Sequence, residues 1–342
     1  MARRSITDYD ESDVRVRPGK GSRPRSKDRP RHADAVSGMV VTKDRGRWGV
    51  VLDDSDTVVQ CMRARELKRV SIEVGDRVGI VGDTSGAKDT LARIVKREDR
   101  VSVLRRTADD TDPYERIIVA NAELLLIVVA VADPPPRTGF VERALIAAFV
   151  GGVTPVVCLT KSDLADPARF RAELEDLDVD VYEVGVDDPI DDLVAAVTGR
   201  LSALIGHSGV GKSTLVNRVV PDAQRETGRV SGVGKGRHTS TQSVALELPG
   251  GGWMIDTPGI RSFGLAHVSP DQIVQVFPDL AEVAEGCPRN CTHLGPPADP
   301  ECAWDRLDPE TVTFRRAQAT RGLLEALRSN NEWELKQLDE ER

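Results

Sequence analysis

The chain has few residues of the kinds that cross-link a protein or anchor it in a membrane. Its 342 residues include 5 Cys, 6 Phe, 4 Trp and 3 Tyr, and the odd cysteine count argues against a disulfide framework. The longest uncharged apolar run, Leu124–Ala132, spans nine residues, whereas a transmembrane helix needs about 20. No apolar region follows the arginine-rich N-terminus, so a secretory signal is excluded. We expect a cytoplasmic protein that does not bind membranes.

Charge is abundant but unevenly distributed. The formal net charge is −8, yet residues 15–31 contain eight Lys and Arg side chains and one acid, interspersed with glycine and proline. Such a segment cannot bury enough apolar surface to fold, so residues 1–35 are predicted to be a disordered basic tail. Two interpretations stay open for this tail: a solvated segment without a role, or an arm that binds RNA non-specifically through phosphates.

A glycine-rich loop matches the phosphate-binding motif GxxxxGK[ST] in full. It follows the apolar run Leu201–Ile205 and precedes a helix-like run, residues 213–220, which is the context the motif requires. Lys212 would reach the β- and γ-phosphates, and Ser213 would ligate Mg²⁺. His207 occupies a variable position, where we expect a surface side chain. The predicted nucleotide-binding residues here are Gly206, His207, Ser208, Gly209, Val210, Gly211, Lys212, Ser213 and Thr214.

A base-reading motif follows the apolar run Val153–Leu159, which is typical of a buried parallel strand. Ligands bind at this end of such strands. The Asp163 carboxylate can accept two hydrogen bonds from guanine, whereas adenine offers no such pair of donors. Lys161 would lay its alkyl stem along the base. The sequence therefore predicts guanine-nucleotide binding by Thr160, Lys161, Ser162 and Asp163.

A third motif, Asp256-Thr257-Pro258-Gly259, follows a short apolar run. Asp256 would hold Mg²⁺ through water, and the Gly259 N–H would contact the γ-phosphate. The next residue is Ile260, where many GTPases carry a glutamine that orients the attacking water. Hydrolysis is therefore expected either to be slow and completed by a partner, or to use another group such as His238 or a backbone carbonyl.

The segment Ser231–Thr241 combines glycines, two basic residues, a histidine and several hydroxyls, as expected of a first switch. Thr239 is the preferred Mg²⁺ ligand and Thr241 the alternative. A flexible loop without a nucleotide role also stays open. The predicted catalytic residues are Lys212, Ser213, Thr239, Asp256 and Gly259, with Ser213 and Thr239 on Mg²⁺.

The three nucleotide motifs come in an unusual order along the chain. Common GTPases begin with the phosphate loop and end with the base-reading motif, whereas here the base-reading motif comes first. A circular permutation explains this order, because domain termini usually lie close together at the surface. The segment from Ile260 to Pro278 then connects the second switch to the C-terminal region.

Three of the five cysteines and a histidine fall within sixteen residues near the C-terminus, among glycines and prolines. Four such ligands suit a closed, tetrahedral, structural Zn²⁺ site. Cys61 and Cys158 lie in strand-like runs, where we expect buried apolar side chains. The predicted zinc ligands are Cys287, Cys291, His293 and Cys302.

The remaining pattern predicts the domain organisation. Five short β-like runs suggest an OB-fold. The runs are Gly38–Thr42, Arg47–Leu52, Thr57–Arg63, Arg77–Val81 and Leu91–Val95. This barrel would offer basic residues to RNA backbones, with only Trp48 able to stack on a base; a purely structural barrel is the alternative. The predicted domains are 1–35 (tail), 36–105 (barrel), 106–278 (GTPase) and 279–342 (zinc-binding).

Alternating strands and helices from Asp109 onward predict a parallel sheet with helices on both faces. The predicted strands include Ile117–Ala120 and Leu124–Val131, and the predicted helices Phe140–Phe149 and Phe170–Leu177. Two further helices are predicted after the cysteine cluster, at Pro309–Leu327 and Asn331–Glu340.

The chain carries, in this order, the motifs TKSD, GHSGVGKST, GRHTST and DTPG and then a Cys/His cluster. With this order it resembles the ribosome-small-subunit-dependent GTPase A family (RsgA, also called YjeQ) over about residues 36–330. The resemblance implies a multidomain α/β protein: an N-terminal OB-fold β-barrel, a circularly permuted P-loop GTPase domain and a C-terminal zinc-binding helical domain. Two departures are Thr160, in place of a commoner asparagine, and Val184-Gly185-Val186, in place of a Ser-Ala signature beside the base. Backbone N–H groups can do the work of that signature.

The resemblance also implies a function. The chain would hydrolyse GTP to GDP and phosphate, using Mg²⁺ and one structural Zn²⁺, as a monomer stimulated by the small ribosomal subunit and its rRNA late in assembly. The alternative from the residues is a nucleotide-gated RNA-binding module with negligible turnover, which Ile260 favours. A P-loop kinase or ATPase is disfavoured by TKSD and DTPG.

Overall fold

A computed structural model describes residues 32–107, 114–221, 243–257 and 264–328. The basic tail, residues 1–31, and the helix expected at Asn331–Glu340 lie outside the described residues. The described residues from Ala35 onward pack as one compact unit. None of the described helices is both long enough and apolar enough to cross a bilayer.

The first five strands close into a small barrel. β1 pairs with β2 and β4, β2 with β3, and β4 with β5, all antiparallel, while a parallel pairing of β3 with β5 completes the ring. This closed five-stranded topology is that of an OB-like barrel. The strands are β1 Val36–Asp44, β2 Arg47–Leu52, β3 Ser55–Arg63, β4 Arg77–Val81 and β5 Ala92–Arg97.

Trp48 belongs to the interior of the barrel. Its side chain is 6% exposed, and its Nε1 donates a hydrogen bond of 3.1 Å to the Ile72 carbonyl. Trp48, the one residue that the sequence offered for stacking on a base, is therefore not available for stacking, because β2 turns this residue toward the core. That core consists of Val40, Trp48, Val50, Val59, Cys61, Ile72, Val78, Ile80, Ala92 and Ile94.

A two-stranded hairpin lies between the barrel and the main sheet in sequence. Its strands, β6 Val103–Arg106 and β7 Arg116–Ala120, pair antiparallel with each other. The prediction that Ile117–Ala120 joins the parallel sheet is wrong. Only the last two residues of β7 are buried, whereas an interior parallel strand must be covered on both faces.

The sheet that follows carries the nucleotide motifs. Its strands run in the order β10, β9, β8, β11, β13 and β12, parallel except for β12 at the far side. Thr42 of β1 bridges to Val244 of β12, which joins the barrel to this sheet. The strands are β8 Leu124–Ala130, β9 Thr154–Thr160, β10 Asp180–Glu183, β11 Leu201–Ile205, β12 Val244–Glu247 and β13 Trp253–Asp256.

Helices cover both faces of this sheet. Successive residues of β8 contribute to two different cores: Leu125 and Ile127 pack with the core that includes α1, and Leu126 and Val128 with the core that includes α4. This alternation explains why β8 is apolar at every position. The helices are α1 Thr138–Val150, α2 Ala168–Glu175, α3 Asp191–Val197 and α4 Lys212–Val219.

The C-terminal region is a helical module that packs on α1. It comprises α5 Pro270–Val274, α6 Pro278–Ala284, a 3₁₀ turn at Ala303–Arg306 and α7 Val312–Arg328. Trp304 is fully buried, and its Nε1 donates to the Leu280 carbonyl at 3.2 Å. The buried Arg143 of α1 donates from Nη1 to the Ala326 carbonyl of α7 at 2.9 Å. The module and the parallel sheet therefore share one core.

Candidate GTPase site and metal centre

The nucleotide motifs follow the carboxyl ends of three parallel strands, β9, β11 and β13, so they meet at one edge of the sheet. The phosphate loop runs from the end of β11 to Gly211, whose φ of 94° is left-handed and suits glycine. Gly211 also lies against Thr160, because an added Cβ would be in van der Waals contact with its side chain, at 3.5 Å. The loop therefore packs directly on the base-reading motif.

Lys212 lies at the start of α4 and folds back over the loop. Its Nζ donates to the Gly206 carbonyl at 2.5 Å and to the His207 carbonyl at 2.7 Å. Burial lowers the pKa of Lys212, while the nearby Asp256 raises it. The ammonium is thus placed in the loop that would receive phosphates, with the Asp256 carboxylate of the third motif close by.

His207 is not the surface side chain that its variable position suggests. Its ring packs against Phe140 of α1, with 4.2 Å between ring centroids, and its Nε2 is buried with no hydrogen-bond partner in the described part of the chain. Burial, helped by Arg137 and Lys212, lowers its pKa to about 4. At neutral pH the imidazole is therefore uncharged, and it packs the phosphate loop against α1.

Thr160 connects the base-reading motif to the phosphate loop. Its Oγ1 donates to the Val210 carbonyl at 2.6 Å and lies 3.3 Å from the Val129 carbonyl, so the hydroxyl connects the phosphate loop with β8. Lys161, which has a positive φ of 58°, donates from Nζ to the Asp133 carbonyl. Asp163 is exposed at the site surface, where its carboxylate is accessible to a base.

The loop Val184–Asp188 lies beside the base-reading motif. Asp188 Oδ2 accepts hydrogen bonds from Ser162 Oγ at 2.7 Å and from the Gly185 N–H at 2.8 Å. Arg218 of α4 donates to three backbone carbonyls of the same loop. Sequence reasoning missed both side chains, since neither belongs to a nucleotide motif.

The third motif is described only at its first two residues. Asp256 ends β13, and the buried Thr257 donates from Oγ1 to the Leu204 carbonyl at 2.6 Å, which fixes the motif to β11. The remaining predicted switch residues lie outside the described residues. They are Thr239 with its neighbours His238 and Thr241, and Pro258, Gly259 and Ile260.

The four predicted zinc ligands converge in the C-terminal module. Their ligand atoms all lie within 4.8 Å of one another. His293 Nδ1 is 3.6 Å from Cys287 Sγ, 3.8 Å from Cys291 Sγ and 4.0 Å from Cys302 Sγ. Tetrahedral bonds of 2.0–2.3 Å would place nitrogen and sulfur ligands about 3.5 Å apart. The donor set and its spacing therefore fit one zinc ion.

The surroundings of the cluster suit thiolate ligands. The backbone N–H groups of His293 and Ala303 point at sulfur, 3.4 Å from Cys291 Sγ and 3.3 Å from Cys287 Sγ. Burial raises the pKa of Cys291 to about 12, and the neighbouring thiols also raise it, so three thiolates would need a cation between them. Arg321 donates to the His293 carbonyl at 2.9 Å and orders the ligand loop.

Comparison with known proteins identifies the family. The sequence model of the RsgA GTPase family matches residues 97–266. A small ribosomal subunit biogenesis GTPase RsgA of Bacteroides fragilis is 32% identical over 285 residues, which cover 78% of this chain and 89% of the relative. The chain belongs to the RsgA GTPase family. The homologue of Gemmatimonas aurantiaca, 34% identical over 281 residues, covers 79% of this chain and 90% of its own length.

Solved structures show the same fold. YjeQ from Thermotoga maritima superposes with a TM-score of 0.61 at 24% identity, covering 84% of this chain and 98% of its own. YloQ, described as a circularly permuted GTPase, gives 0.60 at 22% identity, covering 88% and 98%. The predicted RsgA resemblance, the fold class and the GTP hydrolase class are thus confirmed. The roles of the individual site residues and the domain boundaries stay predictions.

Proposed function

We propose that this RsgA-family protein is cytoplasmic, acts as a monomer, and hydrolyses GTP to GDP and phosphate on the small ribosomal subunit late in assembly. The observation that carries the proposal is the convergence of three GTPase motifs at one sheet edge in a chain whose relatives are named small ribosomal subunit biogenesis GTPases. In this proposal Lys212 holds the β- and γ-phosphates, and Ser213 and Asp256 hold Mg²⁺. Asp163 reads guanine, and the cysteine cluster holds one structural Zn²⁺.

Guanine specificity is expected to depend on Asp163. Asp163→Asn removes an acceptor of two charge-assisted hydrogen bonds, each worth about 1.5–3 kcal/mol, so GTP affinity should fall roughly 100-fold or more. Xanthosine triphosphate should bind the variant better than the wild type, because its 2-oxo group accepts from the new amide. Competition binding with GTP, xanthosine triphosphate and ATP measures both changes. Equal competition by ATP and GTP on the wild type would contradict a guanine site.

The barrel presents a basic end suited to RNA backbones. The register places Arg47 opposite Met62, so the β1–β2 turn lies beside the end of β3. Six basic residues occur at this end, all exposed, and with Trp48 buried they provide charge rather than base stacking. They are Arg45, Arg47, Arg63, Arg65, Lys68 and Arg69.

Replacing Arg65, Lys68 and Arg69 with alanine is expected to weaken association with the small subunit. The slope of log K against log salt concentration is negative, and each lost phosphate contact should make it less steep by about 0.7–0.9. The measurement is co-sedimentation of GTP-analogue-bound protein with small or large subunits over a salt series. Lys88→Ala, at an exposed position in the β4–β5 connection at the opposite end of the barrel, is the control. An unchanged salt slope in the triple variant would exclude this end of the barrel as a surface that binds RNA phosphates.

Deletion of the whole barrel is a poorer test than these substitutions. Met39, Val41 and Val51 of the barrel strands are buried in the core that also contains α1 and β8. Removing residues 36–105 would expose that core, so a loss of stimulation could follow from unfolding alone.

A further inference from the structure

Arg218 connects the phosphate side of the candidate site to the base side. It lies in the last turn of α4, the helix that begins at Lys212. Its Nη1 donates to the Gly185 carbonyl at 2.5 Å and the Val184 carbonyl at 3.3 Å, and its Nη2 donates to the Asp188 carbonyl. All three acceptors belong to the loop Val184–Asp188.

Asp188, the last residue of this loop, connects it to the base-reading motif. Its carboxylate accepts from Ser162 Oγ and from the Gly185 N–H, so the loop is joined to the residue next to Asp163. The approach is close: an added Cβ at Gly185 would lie 2.7 Å from both Asp188 Oδ2 and Ser162 Oγ, so a side chain there would displace these two groups. The distance between the loop and the base-reading motif is therefore set by Arg218 and Asp188 together.

The next residue in this loop offers a free donor. The Val186 N–H has no hydrogen-bond acceptor among the described residues, and the Val186 side chain is 69% exposed. Guanine presents the O6 acceptor beside the ring N–H that Asp163 would read. Adenine presents an amino donor there, which a backbone N–H would reject because two donors cannot pair.

We propose that Arg218 is a positioning residue for guanine recognition, which holds the loop Val184–Asp188 so that the Val186 N–H meets O6 of the base. The inference rests on the proposed GTP binding. In this arrangement Asp163 reads the ring N–H and the exocyclic amine of guanine, and O6 faces a loop that Arg218 of α4 holds in place.

The test compares GTP with two analogues on the full-length chain by calorimetry. 6-Thio-GTP keeps both groups read by Asp163 but replaces O6 with a weakly accepting sulfur, whereas ITP keeps O6 and lacks the 2-amino group. The wild type is expected to bind 6-thio-GTP about tenfold more weakly than GTP, the equivalent of one hydrogen bond. In Arg218→Met, which keeps the apolar stem, the GTP to 6-thio-GTP ratio should fall to about one. The GTP to ITP ratio should not change.

Two further variants separate positioning from general damage. Asp188→Ala, which releases Ser162 and Gly185, should reproduce the lost O6 discrimination. Arg171→Ala removes an exposed arginine of α2 whose Nη1 lies 3.4 Å from Glu183, and it should leave both ratios unchanged. If Arg218→Met weakens all three nucleotides by one common factor, or leaves both ratios as in the wild type, the inference is overturned. If the wild type itself does not prefer GTP to ITP and ATP, it is the proposed GTP site that fails.

Discussion

Cys291→Ser is expected to release zinc and unfold the C-terminal module. Structural zinc contributes on the order of 10–16 kcal/mol of apparent folding free energy in small modules, so its loss should unfold the segment that carries the four ligands. GTP binding should persist, because no zinc ligand lies on the strands that carry the nucleotide motifs. The measurements are zinc content of freshly purified protein and hydrogen exchange across residues 287–328.

The control for this variant is Cys61→Ala, which removes a buried thiol of the barrel core outside the cluster. The Cys61→Ala variant should keep one zinc per chain, and hydrogen exchange in its C-terminal module should be as slow as in the wild type. Because α7 packs on α1 through Arg143 and the shared core, unfolding should also increase exchange in α1. A wild type purified without zinc, or a serine variant as protected as the wild type, would contradict a structural zinc site.

Hydrolysis by the isolated protein is expected to be slow and to accelerate by roughly 10³–10⁵ on the small subunit, the range that supplied catalytic elements achieve. An isoleucine side chain such as Ile260 has no group that orients water, so we expect a partner to complete the site; hydrolysis by a group of the chain itself, such as His238 or a backbone carbonyl, is the alternative. Two contacts of the described residues that follow the third motif bear on this expectation. The Gly264 carbonyl, just after the third motif, accepts from the Thr107 N–H at 2.9 Å, and α5 beyond it packs with α1 and α7. Thr107, the residue after β6, thus contacts the segment that leads from the third motif to the C-terminal module.

The motifs whose chemistry depends on contiguous residues could be predicted from sequence. The phosphate loop needs glycines and a lysine at fixed spacing, and β9 and β11 are apolar because both faces of the sheet are covered. Cysteines and a histidine within sixteen residues likewise have few uses other than a metal. The barrel strands were predicted to within a few residues from turn signals and β-branched runs.

Features that depend on tertiary packing could not be predicted in this way. Trp48 alternates inward by the register of β2, and β7 pairs with β6 because too little of it is buried for an interior strand. The contact of His207 with Phe140 depends on α1, sixty-seven residues earlier in the chain. Arg218 resembles any helix arginine until the loop Val184–Asp188 is seen against it.

GTP turnover with and without purified small ribosomal subunits tests whether the subunit stimulates hydrolysis by this protein. The intact chain is measured alone, with small subunits and with large subunits, at two salt concentrations, and Lys212→Ala establishes the rate without the phosphate-loop lysine. We expect slow turnover by the chain alone, strong stimulation by small subunits only, and less stimulation at high salt. Equal turnover with and without small subunits would contradict this expectation and favour a nucleotide-gated RNA-binding module.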